Sequence, residues 1–359
     1  MKAFSGQFDA HRAVDEAECV ASVLLAILLA HLIGASNVFW AAFSGYMVMR
    51  GHVAESFLRG VLRITGTGAG ALLGLGITPL VVGNVALTSI ALALLGGAML
   101  YAALTAKRSY AWLLVGLTFV MILLDKTQHP QIAIADFART RLLEVVAGTA
   151  ACLIVSTAST ITLRRIWPAE RAAPATRVGW NPHAARHAGQ AAVALAALPV
   201  LGLWLHLPAL AQSAVAIMAV MLVPVSSIGA SGFGPVSRRL VNRAVGCLAG
   251  AGLAAIILFL GHGAAPILIA GTILGVALGR HLENGKGALA YAGTQFVLAV
   301  LVTLVPDSYA DADIGPAVDR LAGTLIGMAL LEPVLLLWHL IAPGERRAAT
   351  AEEAEAGGV

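Results

Sequence analysis

The sequence predicts an all-α polytopic membrane protein, and three observations carry the prediction. Of its 359 residues, 59% are apolar and 12% charged, against about 45–50% and about 25% in an ordinary soluble domain. The apolar residues fall in blocks long enough to cross a hydrocarbon core, which takes about 20 residues per helix. Those blocks, LALLGGAMLYAAL among them, are apolar throughout, whereas the strands of a membrane barrel alternate apolar and polar positions over about 10 residues. Helices satisfy their own backbone hydrogen bonds in lipid, so the spans are helices.

Turn signals and charges divide the chain into about twelve helices, over residues 14–34, 37–51, 62–82, 85–106, 109–125, 138–162, 187–206, 210–228, 241–261, 265–280, 286–305 and 317–341. The first is expected to stay in the membrane, because the apolar stretch after Lys2, Asp9 and Arg12 has no small-x-small cleavage site. The second, fifth and tenth are short enough to be tilted or re-entrant. With the N-terminus inside, 19 of the 23 Lys and Arg residues fall on the cytoplasmic side, and Lys126, Arg139, Arg141 and Arg320 fall outside. Cytoplasmic loops collect basic residues, so this asymmetry places both termini in the cytoplasm. Asp15, Glu16 and Glu18 would then lie at the cytoplasmic start of the first helix, within reach of Arg12 and the arginines of the third. Cys19, Cys152 and Cys247 are isolated in apolar helices, with neither metal-ligand nor disulfide spacing, and read as packing residues.

Residues 59–70 read RGVLRITGTGAG and residues 239–250 read RLVNRAVGCLAG, the pattern Arg-x-x-x-Arg-x-x-Gly-x-x-x-Gly written twice at an offset of 180. Gly116, Phe119 and Val120 recur as Gly293, Phe296 and Val297 (offset 177), Arg141 and Gly148 as Arg320 and Gly327 (179), and His31-Leu32 as His206-Leu207 (175). Matches in one order at nearly one offset predict two copies of a six-helix unit. Six is even, so the repeat is parallel, about an axis along the membrane normal. The copies occupy 1–163 and 187–342, joined by a basic, proline-bearing cytoplasmic linker over 164–186 and followed by a disordered cytoplasmic tail over 343–359.

These blocks resemble the fusaric acid resistance-like, or aromatic acid exporter, membrane proteins. The resemblance lies in the arginine-rich start of the third helix running into small-residue steps, R59GVLRITGTGAGALLG, and in the closing helix R141LLEVVAG. It covers roughly 12–163 and 186–341, and it departs from the larger family members in lacking a sizeable cytoplasmic domain after each block. The resemblance implies an exporter of aromatic carboxylates such as hydroxybenzoates or fusaric acid, and it extends to plant anion channels with a related six-helix block. The major-facilitator fold also joins two six-helix halves. Its usual G-x-x-x-D-R-x-G-R-R loop has little likeness to RGHVAESFLRGVLR here.

On a helix, Arg59, Arg63, Gly66, Gly70 and Gly74 share one stripe. The glycines suit close helix packing. The arginines either snorkel to headgroups or, set at the positive ends of helices three and nine, build a potential that Arg59, Arg63, Arg239 and Arg243 would use to bind a carboxylate. Arg141 and Arg320 are the corresponding outer candidates. Glu144 shares a face with Arg141 and has no acidic counterpart in the second copy, where Gly323 stands. An ionisable residue inside a span defaults to a functional hypothesis, so Glu144 is either a structural ion pair or the proton-coupling carboxylate. Glu332, ahead of Pro333, is a second proton site or a carboxylate capped within a kink. His31 and His206 are interfacial hydrogen-bonders or titrating switches.

No Walker loop, H-E-x-x-H, paired-cysteine cluster or G-x-S-x-G is present, and the loops are too short for a catalytic domain, so no enzyme and no cofactor or metal are expected. The net charge of +4 follows from the positive-inside distribution and does not support nucleic-acid binding. The leading expectation is an inner-membrane secondary transporter that exports small organic anions, coupled to protons. An anion channel or a structural membrane protein without substrate are the alternatives. The lipid bilayer and the anion are its partners, with a periplasmic adaptor and the oligomeric state left open.

Overall fold

A computed structural model describes residues 2–169, 171, 176–229, 232–285, 287, 289–309 and 312–341. The predicted tail 343–359 with Arg346 and Arg347, and the loop residues Lys286 and Asp311, lie outside the described residues. The chain is helical: α1 Lys2–Leu32, α2 Val38–Val48, α3 Val53–Val81, α4 Val85–Thr105, α5 Ser109–Gln128, α6 Ile134–Ile161, α7 Pro182–Leu205, α8 Leu210–Met221, α9 Phe233–Gly261, α10 Ala265–Asn284, α11 Ala290–Leu304 and α12 Gly315–Ile341. Eight of these (α3 to α7, α9, α10 and α12) are long and apolar enough to cross a membrane. In α1 the charges Asp15, Glu16 and Glu18 interrupt the apolar run.

Several boundaries differ from expectation for physical reasons. The short helices are α2, α8 and α11, with 11, 12 and 15 residues. At 1.5 Å per residue α2 is about 16 Å long, half a hydrocarbon core. The fifth and tenth helices, expected to be short, each have 20 residues. Helix α8 stops at Met221 because Pro224 has no backbone N–H and biases the residue before it away from the helical region. Helix α3 begins at Val53, nine residues before the predicted start, because VAESFLRGVLR is amphipathic: Ser56, Gly60 and Arg63 are buried while Phe57, Leu58 and Val61 face outward. Arg59 and Arg63 therefore sit beyond the first turn, where the helix dipole no longer acts, and the dipole argument for them fails.

The halves pack on each other reciprocally. Helix α1 meets α10 and α7 meets α4; α2 meets α11 and α8 meets α5. The start of α2 donates Val38 N–H to Asp307 Oδ1 beyond α11 (2.7 Å), and the start of α8 donates Leu210 N–H to Gln128 Oε1 at the end of α5 (3.1 Å). Asn37 and Ala209, which precede those two helices, both have positive φ, 60° and 54°. Within the halves, the glycine stripes are close-packing devices. A Cβ at Gly66 would lie 2.6 Å from Ala111 O, and one at Gly70 2.5 Å from Val115 O. Gly246 and Gly250 lie against Ala292 O and Phe296 O in the same way. These contacts set α5 against α11 at an offset of 181. The sequence match of Gly116 with Gly293 is one turn out of register: Gly116 packs on Met218 and Met99, Gly293 on Gly279 and Leu282.

The acidic residues of α1 find different partners from those expected. Asp15 accepts from Arg280 on α10 at 2.6 and 3.0 Å and from Asn284 at 2.8 Å. Glu18 takes Arg164, in the one-turn helix Leu163–Ile166, at 2.8 and 2.5 Å, and Glu16 meets His281 at 2.8 Å. Glu18 and Arg280 are buried, so this network lies inside the protein and ties α1 to α10. The helix-three arginines are committed elsewhere.

Candidate functional site

Six arginines converge on one cavity of about 240 Å3 between the halves: Arg59 and Arg63 from α3, Arg141 from α6, Arg239 and Arg243 from α9, and Arg320 from α12. They are the six that the sequence singled out. Each half supplies the same device. Arg63 donates through Nε to Ser44 Oγ (3.0 Å) and through Nη1 to Tyr110 OH (2.7 Å), while the Arg59 guanidinium lies 3.9 Å from the centre of the Tyr110 ring. In the second half Arg243 donates to Thr324 Oγ1 (3.3 Å) and Tyr291 OH (3.4 Å), with Arg239 4.3 Å from the Tyr291 ring centre. Arg63 and Arg243 are only 3% and 2% exposed, which rules out snorkelling to the headgroups. The i,i+4 spacing of the two arginines lets one tyrosine serve both: one guanidinium stacks on its ring while the other reaches its hydroxyl.

The two tyrosines were missed in the sequence. Both stand in the first turn of a helix, and their separation of 181 nearly equals that of the arginine motifs, which was the available signal. Phe39, Trp40 and Phe43 from α2 complete the aromatic wall. No Asp or Glu lines the cavity among the described residues.

A larger vestibule, about 770 Å3, opens beside it at the end of the bundle that carries the 33–37 and 129–133 loops. The two spaces share six walls: Phe39, Trp40, Met121, Arg141, Gln212 and Val302. Arg141 stands at this neck, 3.6 Å from the centre of the Trp40 ring and 3.3 Å from Glu144 Oε2. Glu144, 1% exposed, belongs to the vestibule side with Asp125, Asp136 and Asp319. The vestibule is thus acid-bearing and the cavity cationic, with a buried Arg–Glu pair between them. Gly323 stands where the second half would match Glu144, and it is packed against Gln212 of α8. Arg320 instead donates to Gln295 Oε1 at 3.0 Å.

The other proton-site candidates lie apart from the cavity. Glu332 accepts from Ser237 Oγ on α9 at 3.0 Å, and α12 runs on through Pro333. His31 is exposed at the end of α1, its ring centroid 6.4 Å from that of Tyr309 in the loop before α12, where burial pushes the phenol above its usual range. His206 ends α7 with a positive φ of 51° and lines a separate groove with Lys126.

Comparison with known proteins bears on both halves. Residues 19–190 match the model of the fusaric acid resistance protein family, and residues 195–331 match that of the fusaric acid resistance protein-like family. No curated protein and no solved structure matches the chain. The two family matches, one on each side of the arginine-lined cavity, cover most of the sequence, and the chain belongs to the fusaric acid resistance-like family of multi-pass membrane proteins.

Proposed function

We propose that the protein is an inner-membrane secondary transporter that exports small organic acids, aromatic carboxylates foremost, coupled to protons. Its twelve helices act as two parallel six-helix repeats with both termini in the cytoplasm, and the vestibule faces the periplasm. The observation that carries this reading is the cavity with six arginines, aromatic walls and no acidic side chain among its described lining residues. Guanidiniums bind carboxylates through paired hydrogen bonds, and aromatic faces accept a ring beside them. The reciprocal packing of the halves and the separate family match on each support the repeat.

Glu144 supports the coupling. A substrate carboxylate held beside Arg63 also draws Arg141 away from Glu144, which then takes up a proton instead of remaining a buried unpaired anion. Membrane transport then needs only that the neck at Trp40 and Arg141 and the opposite end open in turn, as in other two-repeat transporters. An anion channel would use the same arginines, but conduction gives Glu144 no task.

Proteoliposome flux separates the two. Uptake of labelled 4-hydroxybenzoate that collapses when the pH gradient is dissipated is the expected result. Electrogenic flux indifferent to the gradient would move the protein to the channel class, and no flux of any aromatic acid would remove both readings.

A further inference from the structure

We infer that the substrate carries two acidic groups, one held by the Arg63–Tyr110 clamp and the other by the Arg243–Tyr291 clamp. The inference rests on the export reading only in taking this cavity as the substrate site. Five of the six arginines have neutral partners. Arg59 donates to Met47 O (2.9 Å), Arg63 to Ser44 and Tyr110, Arg239 approaches Ala219 O (3.5 Å), Arg243 reaches Thr324 and Tyr291, and Arg320 reaches Gln295. Arg141 alone of the six makes an ion pair among the described residues, with Glu144. The buried Nε atoms of Arg239 and Arg320 have no hydrogen-bond partner there either.

Buried cations without counter-charge are costly even when neutral groups partner them, and an anion entering the cavity relieves that cost. A monocarboxylate held by one clamp leaves the matching clamp across the cavity uncompensated. A dianion engages both, and the resemblance between the clamps means that the same kind of group fits each. The tyrosine hydroxyls accept from arginine, which leaves their own O–H to donate toward a second oxygen of the bound acid. Size sets the rest: about 240 Å3 is room for roughly eight waters at ~30 Å3 each and lies below the ~300–1,000 Å3 of drug-sized pockets. A single aromatic ring bearing two carboxylates fits that space and the walls formed by Phe43 and Trp40.

The test is equilibrium binding to the purified full chain in lipid nanodiscs at neutral pH, with benzoate, 4-hydroxybenzoate and benzene-1,4-dicarboxylate as probes. The dicarboxylate should bind about tenfold or more tightly than benzoate, the weight of one further charge-assisted contact. The 4-hydroxybenzoate controls for a para substituent without the second charge and should remain near benzoate. Arg63→Gln and Arg243→Gln should each erase the advantage of the dicarboxylate. Equal binding of dicarboxylate and benzoate by the unaltered protein overturns the two-acid inference while leaving an aromatic-acid site in place. Failure of all three probes to bind overturns the site itself. The comparison in the unaltered protein stands even if a variant fails to fold.

Discussion

Replacing Glu144 by Gln separates structural from transport roles at the neck. Arg141 Nη1 lies 3.3 Å from Glu144 Oε2, with 7% and 1% of the two residues exposed. At an effective dielectric constant of about 20, unit charges at that distance attract by about 5 kcal/mol, most of it offset by the cost of burying both ions. Gln keeps a carbonyl oxygen for Arg141 and loses the charge, so the net loss of stability should be about 1–3 kcal/mol, the range for one weakened buried hydrogen bond. Arg141→Leu should cost more, about 3–5 kcal/mol, because it strands the carboxylate. The double variant Arg141→Leu/Glu144→Leu should recover much of that loss. Thermal unfolding in detergent reads these changes. Proteoliposome export reads the coupling: Glu144→Gln cannot carry a proton, so its transport should no longer respond to a pH gradient. A Gln variant with wild-type, gradient-driven export would refute the coupling role and leave the residue as half of a structural pair.

Gly70→Ala places a methyl group 2.5 Å from Val115 O and 2.8 Å from Thr118 Cβ, so α3 must move off α5 at a cost of about 1–3 kcal/mol; Gly68→Ala, with nothing within 4 Å, should leave the unfolding temperature unchanged or slightly raised. Equal effects at the two sites would contradict the packing account. Glu18→Gln weakens both bonds to Arg164 and leaves that buried cation only Asp15, 3.8 Å away, as counter-charge, and a loss of about 1–3 kcal/mol in thermal unfolding is expected; a surface-like change under 1 kcal/mol would mean that water reaches the network. Tyr110→Phe and Tyr291→Phe each remove one hydroxyl from a clamp and should weaken binding of an aromatic acid by about tenfold, a single buried hydrogen bond. Unchanged affinity in both variants would take the tyrosines out of the site.

The helical fold and the identity of the six arginines were legible because each rests on local spacing, whereas the sequence set four of the arginines at the cytoplasmic edge and two at the outer side, and the structure brings all six to one cavity. The stripe through Arg63, Gly66 and Gly70 follows from helical periodicity alone, and all three residues are buried on the face predicted. The pairing of Arg141 with Glu144 followed from their three-residue separation. Other features depend on partners distant in sequence. That α3 and α9 turn their arginines toward one cavity depends on how the halves face each other, which no single helix encodes. Asp15 and Arg280 are 265 positions apart, so the α1–α10 network gave no local sign. The start of α3 was misplaced because apolar runs marked the helices, whereas its first turns are amphipathic and bury Ser56 and Gly60. The register between α5 and α11 slipped by one turn because Gly and Phe are common membrane residues, while the paired tyrosines at its true offset are rare; the chain has five in all.

The transported acid is expected to bind in the arginine-lined cavity. Crystals of the full chain grown with 4-bromobenzoate test it directly, since anomalous scattering from bromine locates the ring without reference to the protein. A bromine peak is expected inside the cavity, between Tyr110 and Tyr291, with the carboxylate within hydrogen-bond reach of Arg63 or Arg243. A peak found only outside that cavity, from protein that binds the acid saturably in solution, would contradict it.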